Sequence, residues 1–153
     1  MIFLVRLLRN RELAEDALQA AFIKLITKSS KYKYPMPFSP WVYRITYNCA
    51  VSEMRKAKVQ QNFILKYFFN SNKPCQNDAL AEISDMEAVE EIKSAIDSLP
   101  PKQRAMMILH RYEEMDYEQI AVTVGCGLGS VKYQMGEAYK ELEKKLSHLA
   151  GGD

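Results

Sequence analysis

The fold of this chain is decided by the stretch YEQIAVTVGCGLGSVKYQMGEAYKEL (residues 117–142), in which two helical patterns flank a short glycine turn. Apolar side chains recur at three- and four-residue spacing on both sides of the turn at 125–127, as they do in amphipathic helices. Two helices joined in this way form the helix-turn-helix pattern, which often places its second helix in the major groove of DNA. A plain helical hairpin has the same spacing and stays an alternative.

The second helix of this pattern has few positive charges for a DNA-binding helix. Contacts to bases and phosphates would come from side chains early in the helix, and the candidates are Ser130, Lys132, Tyr133 and Gln134. Lys132 is the one cation in its first two turns, and Glu137 and Glu141 follow on the same exposed side. Because phosphate contacts supply most non-specific affinity, we expect this helix alone to hold DNA weakly.

The remainder of the chain also has helical periodicity, without a strand-type alternation of useful length. An apolar stripe over 13–26 predicts one helix, with Asn10 as its N-cap. A loop with three prolines follows over 29–40, and we expect Ser39 to cap a second helix whose first turn holds Pro40. Residues 60–80 lose this periodicity and are interpreted as a linker, in which residues 60–69 could form a short helix.

We therefore predict an all-α fold made of two small helical domains. A chain of 153 residues suits one domain of average size or two small ones. The first predicted domain spans residues 1–59 and the second spans residues 81–150. A flexible linker over 60–80 joins them.

Charge is distributed unevenly along the chain, although the net charge is only +2. Residues 1–66 carry twelve Lys or Arg and four Asp or Glu, whereas residues 67–98 carry two basic and seven acidic side chains. A basic first half joined to an acidic middle favours a polyanion-binding surface on the first half. Two solvated helix faces of opposite sign are the alternative explanation.

The sequence lacks the residue patterns of an enzyme, a metal protein or a membrane protein. Cys49, Cys75 and Cys126 are widely spaced, and no nucleotide-binding, nucleophile or zinc-protease motif is present. We expect no catalytic residue, no cofactor, no metal site and no disulfide. No apolar run approaches the ~18 residues needed to span a bilayer, and residues 1–8 lack the features of a signal peptide. We expect a cytoplasmic protein with no membrane insertion.

Aromatic and basic side chains are interleaved over residues 31–58. Cations follow a nucleic-acid backbone and rings stack on unpaired bases at about 1–3 kcal/mol per base, while an Asn amide can hydrogen-bond a base held outside the duplex. The candidates for such contacts are Tyr32, Lys33, Arg44, Tyr47, Asn48, Arg55 and Lys56. We expect Trp41 to belong to the core. Tyr32, Tyr34 and Tyr47 lie among charges and off the apolar stripe, so a core role fits them less well.

Three segments of the chain resemble the extracytoplasmic-function (ECF) sigma factors, the smallest members of the bacterial sigma-70 family. They are ELAEDALQAAFIKL (12–25), FSPWVYRITYNCAVSEMRKAK (38–58) and LPPKQRAMMILHRYEEMDYEQIAVTVGCGLGSVKYQMGEAYKEL (99–142). Together they cover about half of the chain, in the family's order and spacing, with a variable linker where the family has one. Each string alone is a weak signal, and their combination is specific.

The resemblance implies a transcription initiation factor that binds core RNA polymerase and promoter DNA. Region 2 of the family recognises and opens the minus-10 element, and region 4 reads the minus-35 element with its helix-turn-helix. By position, Tyr32 falls beside the flipped minus-10 base, Asn48 falls where an Asn contacts that strand, and Arg44, Arg55 and Lys56 face DNA. The helix that docks on the polymerase would carry Asp16, Gln19, Phe22 and Leu25. An anti-sigma factor is a further partner that the resemblance implies.

This chain departs from the family pattern at several positions. Family members usually have about one more helix before the position of Met1, and arginines are common where Gln134 and Glu137 stand. Since cations and aromatics concentrate in the first half, we expect melting and minus-10 contacts to dominate over minus-35 contacts. Two other hypotheses remain: a stand-alone helix-turn-helix regulator that never joins polymerase, and a degenerate sigma-like protein-interaction module.

Overall fold

Seven α-helices make up the described part of the chain. The computed structural model describes residues 1–67 and 86–150, and within these ranges it contains no strand. The helices are α1 (Ile2–Leu8), α2 (Arg11–Lys28), α3 (Phe38–Tyr67), α4 (Met86–Asp97), α5 (Pro101–Tyr112), α6 (Tyr117–Val124) and α7 (Leu128–Ala150), with a 3-10 helix at Ser29–Lys31 after α2. The predicted all-α class is confirmed.

The start of α2 follows from its capping residue, and its close packing follows from its alanines. Asn10 Oδ1 accepts a hydrogen bond from the Leu13 amide at 3.0 Å, which satisfies one of the free N–H groups of the first turn. The predicted N-cap is therefore confirmed. The small side chains of Ala14, Ala17 and Ala21 are buried, so α2 lies close against α3.

Helix α3 begins two residues earlier than the sequence pattern predicts, at Phe38, and extends further. The Trp41 amide donates to the Pro37 carbonyl at 3.4 Å, so Ser39 lies inside the first turn and its predicted role as N-cap is wrong. Pro40 does occupy the first turn, where its missing N–H costs no hydrogen bond. Residues 60–67 continue α3, whereas residues 68–80 of the predicted linker lie outside the described residues. The division into domains at 1–59 and 81–150 stays a prediction.

The predicted helix-turn-helix is confirmed over α6 and α7. Asp116 begins α6 with a capping box, in which its carboxylate accepts from the Gln119 amide at 2.7 Å and the Gln119 side chain accepts from the Asp116 amide at 3.1 Å. Gly125 ends α6 with a φ of 74°, a left-handed conformation that glycine adopts without steric cost. Val131 and Met135 of α7 are buried, and α7 packs against α5 and α6.

The two halves of the described chain pack against each other. Helix α1 packs on α5, and α3 packs on α6. Leu7 of α1 is fully buried, and burial of a leucine side chain is worth about 1.5–3 kcal/mol. Polar contacts link the same halves: Arg9 pairs with Asp97 at 3.3 Å, and the Tyr43 hydroxyl donates to Glu113. The helix-turn-helix therefore shares one hydrophobic core with α1, α2 and α3.

Candidate nucleic-acid interfaces

An open pocket lies between the end of α2 and the start of α3. Its volume is about 470 Å³, and it is lined by Leu25, Ile26, Ser29, Tyr32, Phe38, Trp41 and Val42. The Tyr32 ring meets the Phe38 ring at 5.5 Å and the Trp41 ring at 5.2 Å, both edge to face. Contacts of this geometry are favourable, so they keep the three rings together at the mouth. We call this site the aromatic pocket.

Tyr32 is held at the pocket by its backbone and by its hydroxyl. Its amide donates to the Ser29 carbonyl at 3.2 Å at the end of the 3-10 helix, and its hydroxyl donates to the Met36 carbonyl at 2.5 Å. The ring stays partly exposed. Tyr34, two residues further on, extends into solvent with 89% of its surface exposed. Of these two tyrosines, Tyr32 is the one that the structure brings to the pocket.

A row of exposed side chains on α3 continues from the aromatic pocket. Trp41, Arg44, Asn48 and Arg55 follow one another at spacings of three, four and seven residues, which puts them on one face of an α-helix. Arg44, Asn48 and Arg55 are exposed, and we call these three residues the α3 row. Two guanidinium groups and one amide therefore lie along the surface that leads away from the pocket.

The two predicted lysine contacts lie outside the α3 row. Lys33 is exposed in the loop before α3, and Lys56 is exposed one residue beyond Arg55, which is about 100° further round the helix. Lys56 pairs with Glu53 at 2.8 Å. The hydrogen bond to Glu53 raises the pKa of Lys56 above its ordinary value, so the ammonium group keeps its charge.

Tyr47 lies in the core on the side of α3 that packs on α6, and not on the exposed surface. Only 8% of the residue is exposed, and burial raises the pKa of its hydroxyl. The expectation that Tyr47 lies off the apolar side of its helix is wrong, and in this arrangement its ring does not face a DNA strand. Tyr43, Tyr47, Ala50 and Met54 recur at four- and three-residue spacing. Counting tyrosine as apolar in that stripe would have identified the buried face.

The four candidate DNA contacts on α7 divide into two exposed and two half-buried side chains. Lys132 and Tyr133 are exposed, whereas Ser130 and Gln134 are half-buried. The Gln134 side chain is also held from another helix, because its Oε1 accepts a hydrogen bond from Gln103 Nε2 at 3.0 Å. Gln103 was not a candidate in the sequence, since nothing in the local pattern of α5 links it to α7.

The acidic side chains that follow on α7 are paired with lysines. Glu137 lies 2.9 Å from Lys140, and Glu141 lies 3.6 Å from Lys145. Exposed pairs of this kind contribute little to stability. They do place a cation beside each acid, which reduces the repulsion that these acids would exert on DNA.

The outer side of α2 exposes apolar side chains. The most exposed of them are Phe22 (57%), Ile23 (64%) and Ile26 (74%). Contiguous exposed apolar patches mark sites of protein association. Asp16 and Gln19 are exposed on the same helix, whereas Leu25 is half-buried and lines the aromatic pocket. Asp16, Gln19 and Phe22 are therefore accessible to a partner, and Leu25 is largely covered.

Two family models match the chain. The model for Sigma-70 region 2 matches residues 2–59, which carry the aromatic pocket and the α3 row, and the model for Sigma-70 region 4 matches residues 89–142, which carry the helix-turn-helix. The chain belongs to the sigma-70 family. It is an RNA polymerase sigma factor, and the function that the sequence resemblance implied is confirmed.

Known relatives of this sigma factor support the ECF resemblance. RNA polymerase sigma factor CarQ of Myxococcus xanthus is 28% identical over 147 residues, which cover 96% of this chain and 82% of that protein. ECF RNA polymerase sigma factor SigW of Bacillus subtilis is 25% identical over 151 residues, covering 94% of this chain and 81% of that protein. Among solved structures, the sigma factor RpoE from Bartonella quintana, in complex with the anti-sigma factor NepR, matches with a TM-score of 0.74 and 25% identity over 95% of this chain and 88% of that chain.

The described ranges of this sigma factor hold neither a cluster of metal-binding side chains nor a membrane-spanning helix. Residues 1–67 and 86–150 contain no group of three or more His, Cys, Asp or Glu side chains that could hold a metal ion. No helix in the same ranges is long and apolar enough to cross a membrane. Cys49 and Cys126 are free thiols, and Cys75 lies outside the described residues.

Proposed function

We propose that this sigma factor binds the single-stranded minus-10 element with the aromatic pocket and the α3 row. The proposal rests on the fact that the aromatic pocket and the α3 row form one continuous surface. The pocket opens at the start of α3, and Arg44, Asn48 and Arg55 follow on the face that bears Trp41. A base removed from the stack enters the pocket, and the α3 row binds the adjoining strand.

The two parts supply different interactions. The rings of Tyr32 and Trp41 offer stacking surface, which is worth about 1–3 kcal/mol per base. The Asn48 amide both donates and accepts, so it can hydrogen-bond a base edge. Arg44 and Arg55 neutralise phosphates, which makes the affinity fall as salt rises. These gains offset the cost of a few kcal/mol for unstacking a base, so the protein favours the opened promoter by binding and performs no covalent chemistry.

Two further surfaces serve the polymerase and the minus-35 element in this proposal. Asp16, Gln19 and Phe22 dock on core RNA polymerase, which covers the exposed apolar side of α2. Ser130, Lys132, Tyr133 and Gln134 contact the minus-35 element. Because α7 offers a single cation in its first two turns, minus-10 contacts supply most of the affinity for promoter DNA.

An anti-sigma factor is a further partner of this chain in the proposal. The RpoE structure that the chain resembles was solved with the anti-sigma factor NepR. A tagged full-length chain purified from its host is expected to carry either core polymerase subunits or a separate inhibitor protein. Recovery with polymerase subunits alone, under all growth conditions, would contradict an inhibitor.

Run-off transcription with purified core RNA polymerase tests the minus-10 assignment. Loss of a stacking ring or a base contact costs about 1–3 kcal/mol, or about 5- to 150-fold. Tyr32→Ala and Asn48→Ala should therefore each lower the transcript yield at least about fivefold, and Lys132→Ala should lower it less. Tyr139→Ala and Gln61→Ala are the matched controls, because they remove similar side chains from exposed positions outside the proposed sites.

Two results would contradict the proposal in different ways. Initiation that is abolished by Lys132→Ala, while Tyr32→Ala and Asn48→Ala remain active, would show that the minus-35 contacts dominate. A stable complex between the protein alone and duplex promoter DNA, formed as readily as with core polymerase, would favour a stand-alone helix-turn-helix regulator.

A further inference from the structure

The side-chain amide of Gln134 is ordered by a residue of another helix. Its Oε1 accepts a hydrogen bond from Gln103 Nε2 at 3.0 Å, across 31 residues of sequence. Gln103 lies in the first turn of α5. Arg104, the next residue, donates to the Leu7 carbonyl at 3.0 Å, which ties this end of α5 to α1. The donor of the hydrogen bond is thus carried by a well-anchored turn.

We propose that Gln103 is a positioning residue that determines which atoms of Gln134 face the minus-35 bases. The proposal rests on the minus-35 role proposed above for α7. A primary amide has one oxygen with two lone pairs and one nitrogen with two N–H donors. Because Gln103 donates to Oε1 of Gln134, one lone pair is already used, and both N–H donors of Gln134 stay available for DNA.

This orientation selects among the bases of the major groove. Adenine and guanine present an acceptor at N7, guanine adds O6 and thymine presents O4, whereas cytosine presents only the N4 donor. An amide whose N–H groups point toward the bases donates to these acceptors and leaves the cytosine donor unpaired. We expect Gln134 to accept adenine, guanine or thymine at the position it contacts and to reject cytosine. Its ordered side chain also loses less conformational freedom when DNA binds.

The control by Gln103 depends on the residue type at position 134. Arginine at this position would offer donors and no acceptor. It could not accept the hydrogen bond from Gln103 and would read bases independently of α5. With Gln134, base preference at this position is determined jointly by α5 and α7, and Gln103 takes part although it lies outside the recognition helix.

The test is a base-preference profile of the reconstituted holoenzyme. The full-length chain and core RNA polymerase transcribe a promoter library that is randomised across the minus-35 element, with a fixed minus-10 element, and the templates that yield transcripts are sequenced. Gln134→Ala should flatten the preference at one position by about tenfold. Gln103→Met, which keeps the length of the side chain and loses its donor, should flatten the same position. The double variant should match Gln134→Ala alone.

A variant that carries a charge at position 103 distinguishes control of the Gln134 amide orientation from a purely structural role of Gln103. In Gln103→Glu the carboxylate accepts instead of donating, so it turns the Gln134 amide over and directs Oε1 outward. The preference at this position should then shift toward cytosine, relative to the other bases. Ratios between bases are insensitive to a uniform loss of DNA affinity from the added charge. Gln61→Met, at an exposed position on α3, is the control and should leave the profile unchanged.

Two outcomes would overturn the inference, and they can be told apart. If Gln134→Ala flattens one position while Gln103→Met and Gln103→Glu only lower transcription equally on all templates, Gln103 is structural and the minus-35 role of α7 stands. If Gln134→Ala and Lys132→Ala both leave every minus-35 preference unchanged, the proposed minus-35 role of α7 fails, and the role of Gln103 fails with it.

Discussion

Replacing Arg104 by methionine should loosen the packing between α1 and the second half of the chain. The Arg104 guanidinium donates from Nη1 to the Leu7 carbonyl and from Nη2 to the Leu99 carbonyl, each at 3.0 Å. Leu7 lies in the last turn of α1, where carbonyls have no donor within the helix. Methionine keeps the apolar stem and offers no donor, so both carbonyls would lose this partner.

The size of the effect follows from these two hydrogen bonds. A hydrogen bond to a charged group contributes about 1.5–3 kcal/mol, so the pair amounts to about 3–6 kcal/mol. Arg104 is half-buried, and its Nε is buried without a partner, a cost that methionine removes. We therefore expect Arg104→Met to lower the free energy of unfolding by about 3 kcal/mol, the lower end of this range. This is a large part of the 5–15 kcal/mol that is typical of folded domains at roughly this size.

Urea unfolding followed by far-UV circular dichroism measures this loss in the free energy of unfolding. Arg111→Met is the matched control, because Arg111 is exposed on the same helix and its replacement should change the free energy by no more than about 0.5 kcal/mol. A loss below about 1 kcal/mol for Arg104→Met, or one equal to that of Arg111→Met, would refute the role of Arg104 in joining the two halves.

Three further predictions concern other contacts. The pKa of the Tyr43 hydroxyl is raised, chiefly by burial and then by its hydrogen bond to Glu113. A raised pKa stabilises the folded state at pH values below the unfolded pKa of about 10, and this stabilisation is lost as the pH rises further. The stability of Tyr43→Phe should therefore depend less on pH than that of the wild type above pH ~10, and equal slopes of unfolding free energy against pH would contradict this. Asp116→Ala removes the capping box of α6 and should lower the free energy of unfolding by about 1 kcal/mol, measured by thermal melting; no change in melting temperature would count against it. Phe22→Ala removes an exposed ring and should weaken co-purification with core polymerase without lowering the melting temperature, whereas unchanged polymerase binding would exclude Phe22 from the docking surface.

Local features of this chain could be predicted from sequence because neighbouring residues produce them. Asn10 caps α2, and Gly125 ends the first helix of the helix-turn-helix. The predicted start of α3 is wrong by two residues, since Ser39 resembles a cap but lies inside the first turn. Tyr47 was misplaced because tyrosine among charges was treated as a surface residue, although it continues an apolar stripe.

Contacts between distant segments could not be predicted in the same way. Apolar residues in α1 indicate burial, but they do not indicate that α5 covers them. The hydrogen bond from Arg104 to Leu7 joins residues 97 positions apart, and that between Gln103 and Gln134 joins two helices. Such contacts depend on how the helices pack. The aromatic pocket is an intermediate case: its rings were identified in the sequence, and the structure showed that three of them meet.

The fluorescence of 2-aminopurine can show whether an unpaired minus-10 base enters the aromatic pocket of this sigma factor. The probe replaces each non-template base of the minus-10 element in turn, in open complexes formed by core polymerase and this sigma factor. One position should give a signal that changes when Tyr32→Ala or Trp41→Ala holoenzyme is used, and that is unaffected by the exposed-site control Tyr139→Ala. Identical signals from wild-type, Tyr32→Ala and Trp41→Ala complexes at every position would contradict the claim.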